Sequence, residues 1–195
     1  MEIRIGVPGD RQALATTLAE AFDDDPVWTW LLPESQRHER LVRIFGALLR
    51  FALPRGHVYT TADRRAVAMW SPPGEWRLPL PALVKAAPDM VRAAGPHLPR
   101  LLGRLGAIEK LHGRQGPNHW YLEFIGTATG SRGAGAGSAL MGQALQRFDA
   151  AGIATYLESS NPRNLGFYRR HGFAVTGEHT FSAGPPQWTL WRDAR

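Results

Sequence analysis

A glycine-rich loop between a strand and a helix is the feature that most restricts how this chain can fold. Residues Arg132 to Gly137 read RGAGAG and follow the aromatic and β-branched segment HWYLEFIGTA of residues 119–128. An apolar stripe at helical spacing follows them and ends at Gly152. Backbone N–H groups in such a loop converge with the positive end of the helix, so the pattern predicts a phosphate or pyrophosphate site. The alternative is a flexible connector, which the placement of the loop and the charge of Arg132 disfavour.

The loop does not match two common nucleotide-binding patterns. No Gly-Lys-Ser/Thr follows it, which excludes a Walker-type NTPase loop, and Ser138 stands where the dinucleotide fingerprint needs its third glycine. No acidic residue lies about 20 residues further on at the end of a strand, where ribose binding would need it. A nicotinamide-dependent enzyme is therefore the weaker alternative.

The remaining elements predict a mixed α/β chain. Strands alternate with helices and the chain ends in an antiparallel pair, which argues against an all-parallel doubly wound sheet. Residues 78–112 have a helical pattern interrupted at Pro88, Pro96 and Pro99, which predicts two short helices. The other predicted strands are 2–7, 57–59, 66–70, 153–159, 173–179 and 185–191, and the other predicted helices begin near Asp10, Pro26, Ser35 and Asn161.

Composition restricts the class of protein further. The 195 residues fit one domain, which we expect to span 1–195 and to include a basic helical segment at 76–114. The absence of cysteine excludes disulfides and a cysteine nucleophile. No apolar run is long enough for a membrane helix, and Glu2 and Arg4 argue against a secretory signal, so we expect a cytoplasmic protein without a membrane partner.

The net charge of +6 does not by itself indicate a nucleic-acid partner. Seven basic and two acidic residues fall between Trp76 and Arg114, so most of the excess lies in one segment. The basic residues there are widely spaced, without interleaved aromatic residues or a known nucleic-acid-binding motif. We therefore predict no nucleic-acid partner.

The C-terminal half resembles the GNAT N-acetyltransferase superfamily. Arg132, Gly135 and Gly137 satisfy its acetyl-CoA signature of Gln or Arg, two residues, Gly, one residue, then Gly or Ala. The family's next block is matched by LESSNPRNLGFYRRHGFAV at residues 157–175. The segments AFDDDP, AVAMWSPPG and PPQWTLW look like the puromycin N-acetyltransferase-like branch. The usual Val-x-Pro before the loop is absent, which should loosen the end of the strand.

The resemblance implies a GNAT fold: a mostly antiparallel sheet flanked by helices, with the fourth and fifth strands splayed apart. Acetyl-CoA would be the co-substrate, with pantetheine between those strands and pyrophosphate on the loop. With no cysteine available, an acceptor amine would attack the thioester directly in a ternary complex. The expected contacts to acetyl-CoA are Ile125, Gly126, Thr127, Arg132, Gly133, Ala134, Gly135, Ala136, Gly137, Ser138, Asn161, Asn164 and Tyr168.

Two residues are candidate proton-transfer groups. Glu123 lies in an otherwise apolar strand, where an unpaired carboxylate is costly, so it is either a general base or paired with an arginine of a neighbouring strand. Tyr168 stands where many members of the family place a general acid near the CoA sulfur. Its alternative is a packing role beside Phe167 and Phe173. Asn161 could also cap the following helix.

Three residues near the N-terminus are candidate contacts to the acceptor. Asp24, Asp25 and Trp28 are predicted to contact the acceptor, although the aspartates also suit helix capping and the tryptophan suits the core. His57, His119 and His171 lack metal-ligand spacing, so no metal is expected. The predicted activity is acetyl transfer to a primary amine of a small molecule by a monomer or homodimer. The alternatives are a protein or peptide N-acetyltransferase and a catalytically idle acyl-CoA-binding regulatory module.

Overall fold

The computed structural model describes residues 1–181 and 183–195. Seven strands and seven α-helices follow one another in these ranges, joined by short turns and 3₁₀ segments. The strands are β1 (Ile3–Ile5), β2 (Val58–Thr61), β3 (Ala66–Ser71), β4 (His119–Thr127), β5 (Ala154–Ser159), β6 (Ala174–His179) and β7 (Gln187–Arg192). The helices are α1 (Arg11–Phe22), α2 (Pro26–Leu31), α3 (Arg37–Ala52), α4 (Leu80–Ala94), α5 (Leu98–His112), α6 (Ala136–Ala150) and α7 (Leu165–Arg170).

One sheet contains all seven strands in the order β1-β2-β3-β4-β5-β7-β6. Every neighbouring pair is antiparallel except β4 and β5, which run parallel. This confirms the predicted mixed α/β fold with a mostly antiparallel sheet.

The parallel pair separates part-way along its length. β4 and β5 pair from His119 with Ala154 to Leu122 with Leu157. Beyond Leu122, β4 stays paired with β3, and beyond Leu157, β5 stays paired with β7. The strands therefore splay as predicted, and a gap opens in the middle of the sheet.

The two faces of the sheet carry separate apolar cores. On one face, Leu18 of α1 and Phe45 of α3 pack with Met69 of β3. On the other face, α6 packs against β3 and β4, where the rings of Phe148 and Trp120 stack at 4.2 Å between centroids. Alternate residues of β3 enter alternate cores, as the period of a strand requires.

The helices of segment 76–114 differ from the predicted pair of short helices. Pro88 was expected to interrupt the segment, but α4 is continuous through Pro88. Pro88 is exposed, as is Val84, whose carbonyl loses its intrahelical donor, so water can satisfy that carbonyl. The break falls instead at Gly95, which has φ +54°, and α4 and α5 have 15 residues each rather than being short.

Residues of α4 also bond to α3. A guanidinium nitrogen of Arg40 donates to the Ala93 carbonyl at 2.7 Å, and Arg50 pairs with Asp89 at 3.0 Å. These contacts hold the α4–α5 pair beside the gap in the sheet. Among the helices of the described ranges, none combines the length and the apolar character needed to cross a membrane.

Candidate active site

A cavity of about 1230 Å³ opens where β4 and β5 part. Its walls come from the two splayed strands, the glycine-rich loop, the α1–α2 connection, α4 and α5. Of the predicted site residues, Ala134 is exposed and does not line the cavity. The others do: Asp24, Asp25, Trp28, Glu123, Ile125, Gly126, Thr127, Arg132, Gly133, Gly135, Ala136, Gly137, Ser138, Asn161, Asn164 and Tyr168.

The glycine-rich loop offers backbone donors to this cavity. Gly133 and Gly135 both have φ +82°, and a Cβ at either position would meet no atom within 4 Å. Gly135 immediately precedes α6 and supplies no side-chain cap. The first N–H groups of a helix have no intrahelical partner, so those of α6 are available to an anion in the cavity.

The side chain of Arg132 is bonded to the end of α1 and to Asp24. One guanidinium nitrogen lies 3.5 Å from a carboxylate oxygen of Asp24 and 3.3 Å from the carbonyl of Ala21, to which it donates. Arg132 therefore ties the loop to the end of α1, and Asp24 offsets part of its charge.

The exposed edge of β4 forms the second wall. Residues Phe124 to Thr127 pair with β3 on one side but have left β5 on the other, and Glu123 is the unpaired residue at a bulge between Leu122 and Phe124. Alternate backbone N–H and C=O groups along this edge therefore face the gap. An extended chain carrying amides fits there as an additional strand.

Glu123 lies on this edge and accepts a hydrogen bond from the hydroxyl of Ser71. Burial raises the pKa of its carboxyl, while the Ser71 hydrogen bond and the charge of Arg55 oppose the rise. No arginine of a neighbouring strand is within ion-pair distance of Glu123 among the described residues, so the pairing alternative is wrong.

Glu158 is a further carboxyl that lines the cavity, and it was not predicted from the sequence. It lies on β5 one residue after the pairing with β4 ends. Burial raises its pKa to about 7. Neither carboxylate oxygen of Glu158 accepts a hydrogen bond of normal geometry from the described residues. The hydroxyls of Tyr121 and Tyr156 are nevertheless close enough to stabilise the ionised form, which lowers the pKa of Glu158 and partly offsets the effect of burial.

Tyr168 projects from α7 with 6% of its surface exposed. Its ring packs edge-on against Phe167 at 5.3 Å and Phe173 at 6.1 Å between centroids, so the predicted aromatic packing is present. Burial, with a smaller effect of the negative charge of Asp25, raises the pKa of Tyr168 above its usual range. The phenol is thus protonated at neutral pH.

Asp25 and Asn161 are both helix caps. Asp25 accepts from the N–H of Val27 at 2.9 Å, and Asn161 accepts from the N–H of Arg163 at 3.0 Å. The capping predictions for both residues are confirmed. Trp28 is buried and contacts the ring of Phe45 edge-on, which agrees with its predicted place in the core.

The histidines mainly pack within the fold. His119 and His112 are buried with their Nε2 atoms 2.9 Å apart, and burial lowers the pKa of both, so one neutral ring donates to the other. His171 lies 3.3 Å from the Ser138 hydroxyl. The described part of the chain holds no group of three or more acidic or histidine side chains arranged for a metal ion.

Residues 58–173 match the model of the acetyltransferase (GNAT) family. The chain belongs to the GNAT acetyltransferase family. The match runs from β2 to the residue before β6, so it includes the splayed strands, the glycine-rich loop and Tyr168.

Several proteins are similar to this GNAT acetyltransferase. An uncharacterized N-acetyltransferase of Schizosaccharomyces pombe is 26% identical over 180 residues, which cover 84% of this chain and 70% of that protein. A Corynebacterium glutamicum structure, named as histone acetyltransferase HPA2 and related acetyltransferase, has a TM-score of 0.70 at 22% identity, covering 99% of this chain and 96% of that one.

Two further solved structures share the fold of this GNAT acetyltransferase. A Drosophila melanogaster polyamine N-acetyltransferase, which forms N-acetylagmatine, has a TM-score of 0.66 at 16% identity and covers 98% of this chain and 99% of that one. PaiA N-acetyltransferase of Thermoplasma acidophilum, solved with coenzyme A, has a TM-score of 0.61 at 13% identity, with 98% of both chains covered.

Proposed function

We propose that this protein transfers an acetyl group from acetyl-CoA to a primary amine of a small molecule. One observation carries the proposal: the open edge of β4, the uncapped start of α6 and three carboxyls of raised pKa, those of Asp25, Glu123 and Glu158, all line a single cavity. That combination provides a binding site for the acetyl donor and carboxylates that can accept a proton, all within one cavity.

The part of the cavity that is lined by the glycine-rich loop and the edge of β4 suits acetyl-CoA. The N–H groups at Gly135 to Gly137 would bind the pyrophosphate, because they stand at a helix start that no side chain caps. The edge from Ile125 to Thr127 would bond to the pantetheine amides and orient the thioester. Asn164 is exposed at the cavity wall, where it would contact the cofactor.

A carboxylate that lines the cavity would accept the proton of the acceptor ammonium. Glu158, with a pKa of about 7, is largely ionised just above neutral pH and can take up a proton there. Glu123 is the other candidate, and its hydrogen bond from Ser71 favours the ionised form. The neutral amine then attacks the thioester carbonyl carbon.

Tyr168 would supply the proton that the leaving group needs. When the C–S bond breaks, the electron pair stays on sulfur, and the Tyr168 hydroxyl protonates the resulting thiolate. A phenol that stays protonated at neutral pH is suited to this role, since its proton must be present when the intermediate collapses.

The acceptor half of the cavity favours a small molecule with an apolar body. We define the apolar wall as Leu83 and Val91 of α4 with Leu102 and Leu105 of α5, all four exposed and all lining the cavity. Exposed apolar side chains that converge on a cavity commonly mark a ligand site. Asp24, Asp25 and Trp28 line the same cavity and would contact the amine end.

Two finer assignments also belong to the proposal. Because α4 and α5 wall the same cavity as the GNAT strands, we propose that residues 1–195 act as one domain. The placement in the puromycin N-acetyltransferase-like branch rests on the segments AFDDDP, AVAMWSPPG and PPQWTLW.

Initial-rate kinetics test the proposed chemistry. Acetyl-CoA and a primary amine would be varied together and the acetylated product identified by mass. Direct attack predicts intersecting double-reciprocal lines, because both substrates must be bound before either product leaves. Parallel lines would indicate a covalent acetyl-enzyme and contradict the mechanism.

A further inference from the structure

Arg104 is a buried cation on the wall of the cavity. It lies on α5 with 4% of its surface exposed. Its Nη1 donates to the Pro185 carbonyl at 3.0 Å, and its guanidinium carbon lies 4.0 Å from the centroid of the Phe181 ring. Arg104 thus spans from α5 to the segment between β6 and β7.

The other two nitrogens of this guanidinium lack partners. Nε and Nη2 of Arg104 are buried and donate to no atom of the described residues. These two nitrogens form one edge of the planar group, and their parallel N–H bonds match the two oxygens of a carboxylate. The edge that lacks protein partners is therefore the one suited to a bidentate anion.

No carboxylate of the described residues forms an ion pair with Arg104. Burial lowers its pKa, and Asp25 is the one acidic group whose charge opposes this effect. Both oxygens of Asp25 are already occupied, by the N–H groups of Val27 and Trp28 and by the Ser160 hydroxyl. An unpaired buried charge is costly, so a ligand that pairs with Arg104 would remove a large penalty.

We propose that Arg104 binds a carboxylate of the acceptor, which makes the acceptor an amine that also carries an acid group. This assignment rests on the proposed function, because it deepens the identity of the acceptor. Gln187 lines the same cavity, and its side-chain oxygen is buried and has no partner among the described residues. This oxygen would accept a hydrogen bond from an N–H of the same ligand.

The surroundings of Arg104 define the rest of the ligand. The apolar wall would contact its hydrocarbon body, and Glu158, whose two carboxylate oxygens lack hydrogen-bond partners among the described residues, would attract its ammonium. A polyamine would place a further cation near Arg104 and would leave the guanidinium edge unpaired. The cavity therefore fits an amino acid with an apolar side chain better than it fits a polycation.

A binding experiment without an amine tests this assignment. The probes are phenyl-substituted carboxylates with alkyl chains of two to six carbons and the alcohols of equal length, titrated by tryptophan fluorescence. We expect wild-type protein to bind at least one acid about tenfold or more tightly than its alcohol, since a paired carboxylate is a strong ligand for a buried guanidinium. Arg104→Met should abolish that preference, and Arg104→Lys should retain only part of it.

Arg100→Met is the matched control. Arg100 lies on the same helix and carries the same charge, but it is directed at Trp30 and does not line the cavity. It should leave the acid preference unchanged. If circular dichroism shows that Arg104→Met is unfolded, folded Arg104→Lys decides the question: a reduced acid preference supports the assignment, and an unchanged preference overturns it.

The results separate this assignment from the proposed function. Equal binding of every acid and its alcohol by wild-type protein, or an acid preference that survives in folded Arg104→Met, would overturn the role of Arg104 even if amines are acetylated. An Arg104-dependent acid preference in a protein that acetylates no amine would support the carboxylate site and contradict the acetyltransferase assignment. As a kinetic check, phenylalanine should exceed phenethylamine in kcat/KM with wild-type protein and lose that advantage in Arg104→Met.

Discussion

The Ser160 hydroxyl donates to a carboxylate oxygen of Asp25 at 2.5 Å, across 135 positions of the chain. The second oxygen of Asp25 accepts from the N–H groups of Val27 and Trp28 at the start of α2. One carboxylate therefore joins the start of α2 to the residue that follows β5.

Asp25→Ala should lower both stability and acceptor binding. Loss of the cap alone should reduce the free energy of unfolding by about 1 to 2 kcal/mol, measured by urea denaturation. The KM of the amine should rise, because the α2 segment is no longer tied to Ser160. Asp24→Ala is the control, since Asp24 is exposed and makes only the 3.5 Å contact with Arg132, so its unfolding energy should change little.

If Asp24 and Asp25 serve mainly the amine end, the double variant should lose much less affinity for acetyl-CoA than for the amine, since only the 3.5 Å contact of Asp24 with Arg132 joins them to the glycine-rich loop. Calorimetry with acetyl-CoA checks this. A parallel loss of donor affinity would assign the pair to the fold of the cavity and not to the acceptor.

Gly135→Val should remove acetyl-CoA binding while the protein stays folded. At φ +82° a β-branched residue is strained, and its side chain would occupy the space in front of the α6 N–H groups. We expect a loss of affinity of about a hundredfold or more, the scale of losing several charge-assisted hydrogen bonds. Gly142→Ala on the same helix is the control, since a Cβ there meets nothing and should leave binding intact. Unchanged affinity in folded Gly135→Val would contradict the loop assignment.

The pH profile should identify the base. The pKa of Glu158 lies at about 7, and a base must be ionised to accept a proton, so kcat/KM should rise with pH and show an inflection near that value. Glu158→Gln should lower kcat/KM by about a hundredfold and remove the inflection. Glu123→Gln should leave the inflection in place. The reverse result, with the inflection lost only in Glu123→Gln, would assign the base to Glu123.

Tyr168→Phe should separate the acid role from the packing role. The substitution keeps the ring between Phe167 and Phe173, so the unfolding energy and the affinity for acetyl-CoA should change little. Without the hydroxyl, kcat should fall by about a hundredfold at neutral pH. The defect should shrink as pH rises, because the thiolate then leaves without a proton. A wild-type kcat across the pH range would leave Tyr168 with only its packing role.

The parts of the fold that follow local patterns could be predicted from the sequence. Gly135 lies between a strand pattern and a helix pattern, and both patterns are local, so the loop and its neighbours were predicted correctly. Pro88 was not, because whether a helix tolerates a proline depends on solvent exposure of the freed carbonyl, and the tertiary structure sets that exposure.

The site residues also divide into those with a local sequence signal and those whose role depends on tertiary contacts. Glu123 was singled out as a charged residue in an apolar strand, and Glu158 carries the same signal within ATYLES. Its importance depends on where β5 leaves β4, which only the register of the pair defines. Arg104 was read as one of several spaced cations, since its burial depends on contacts with Phe181 and Pro185, more than seventy residues away.

Release of free CoA thiol is the measurement that tests acetyl transfer most directly. The protein would be incubated with acetyl-CoA and a panel of primary amines, and the thiol followed continuously with a thiol-reactive dye. Acetyl transfer predicts thiol release that saturates with at least one amine and is lost in Gly135→Val. Tight binding of acetyl-CoA with no amine-dependent thiol release across the panel would contradict it and indicate an acyl-CoA-binding module.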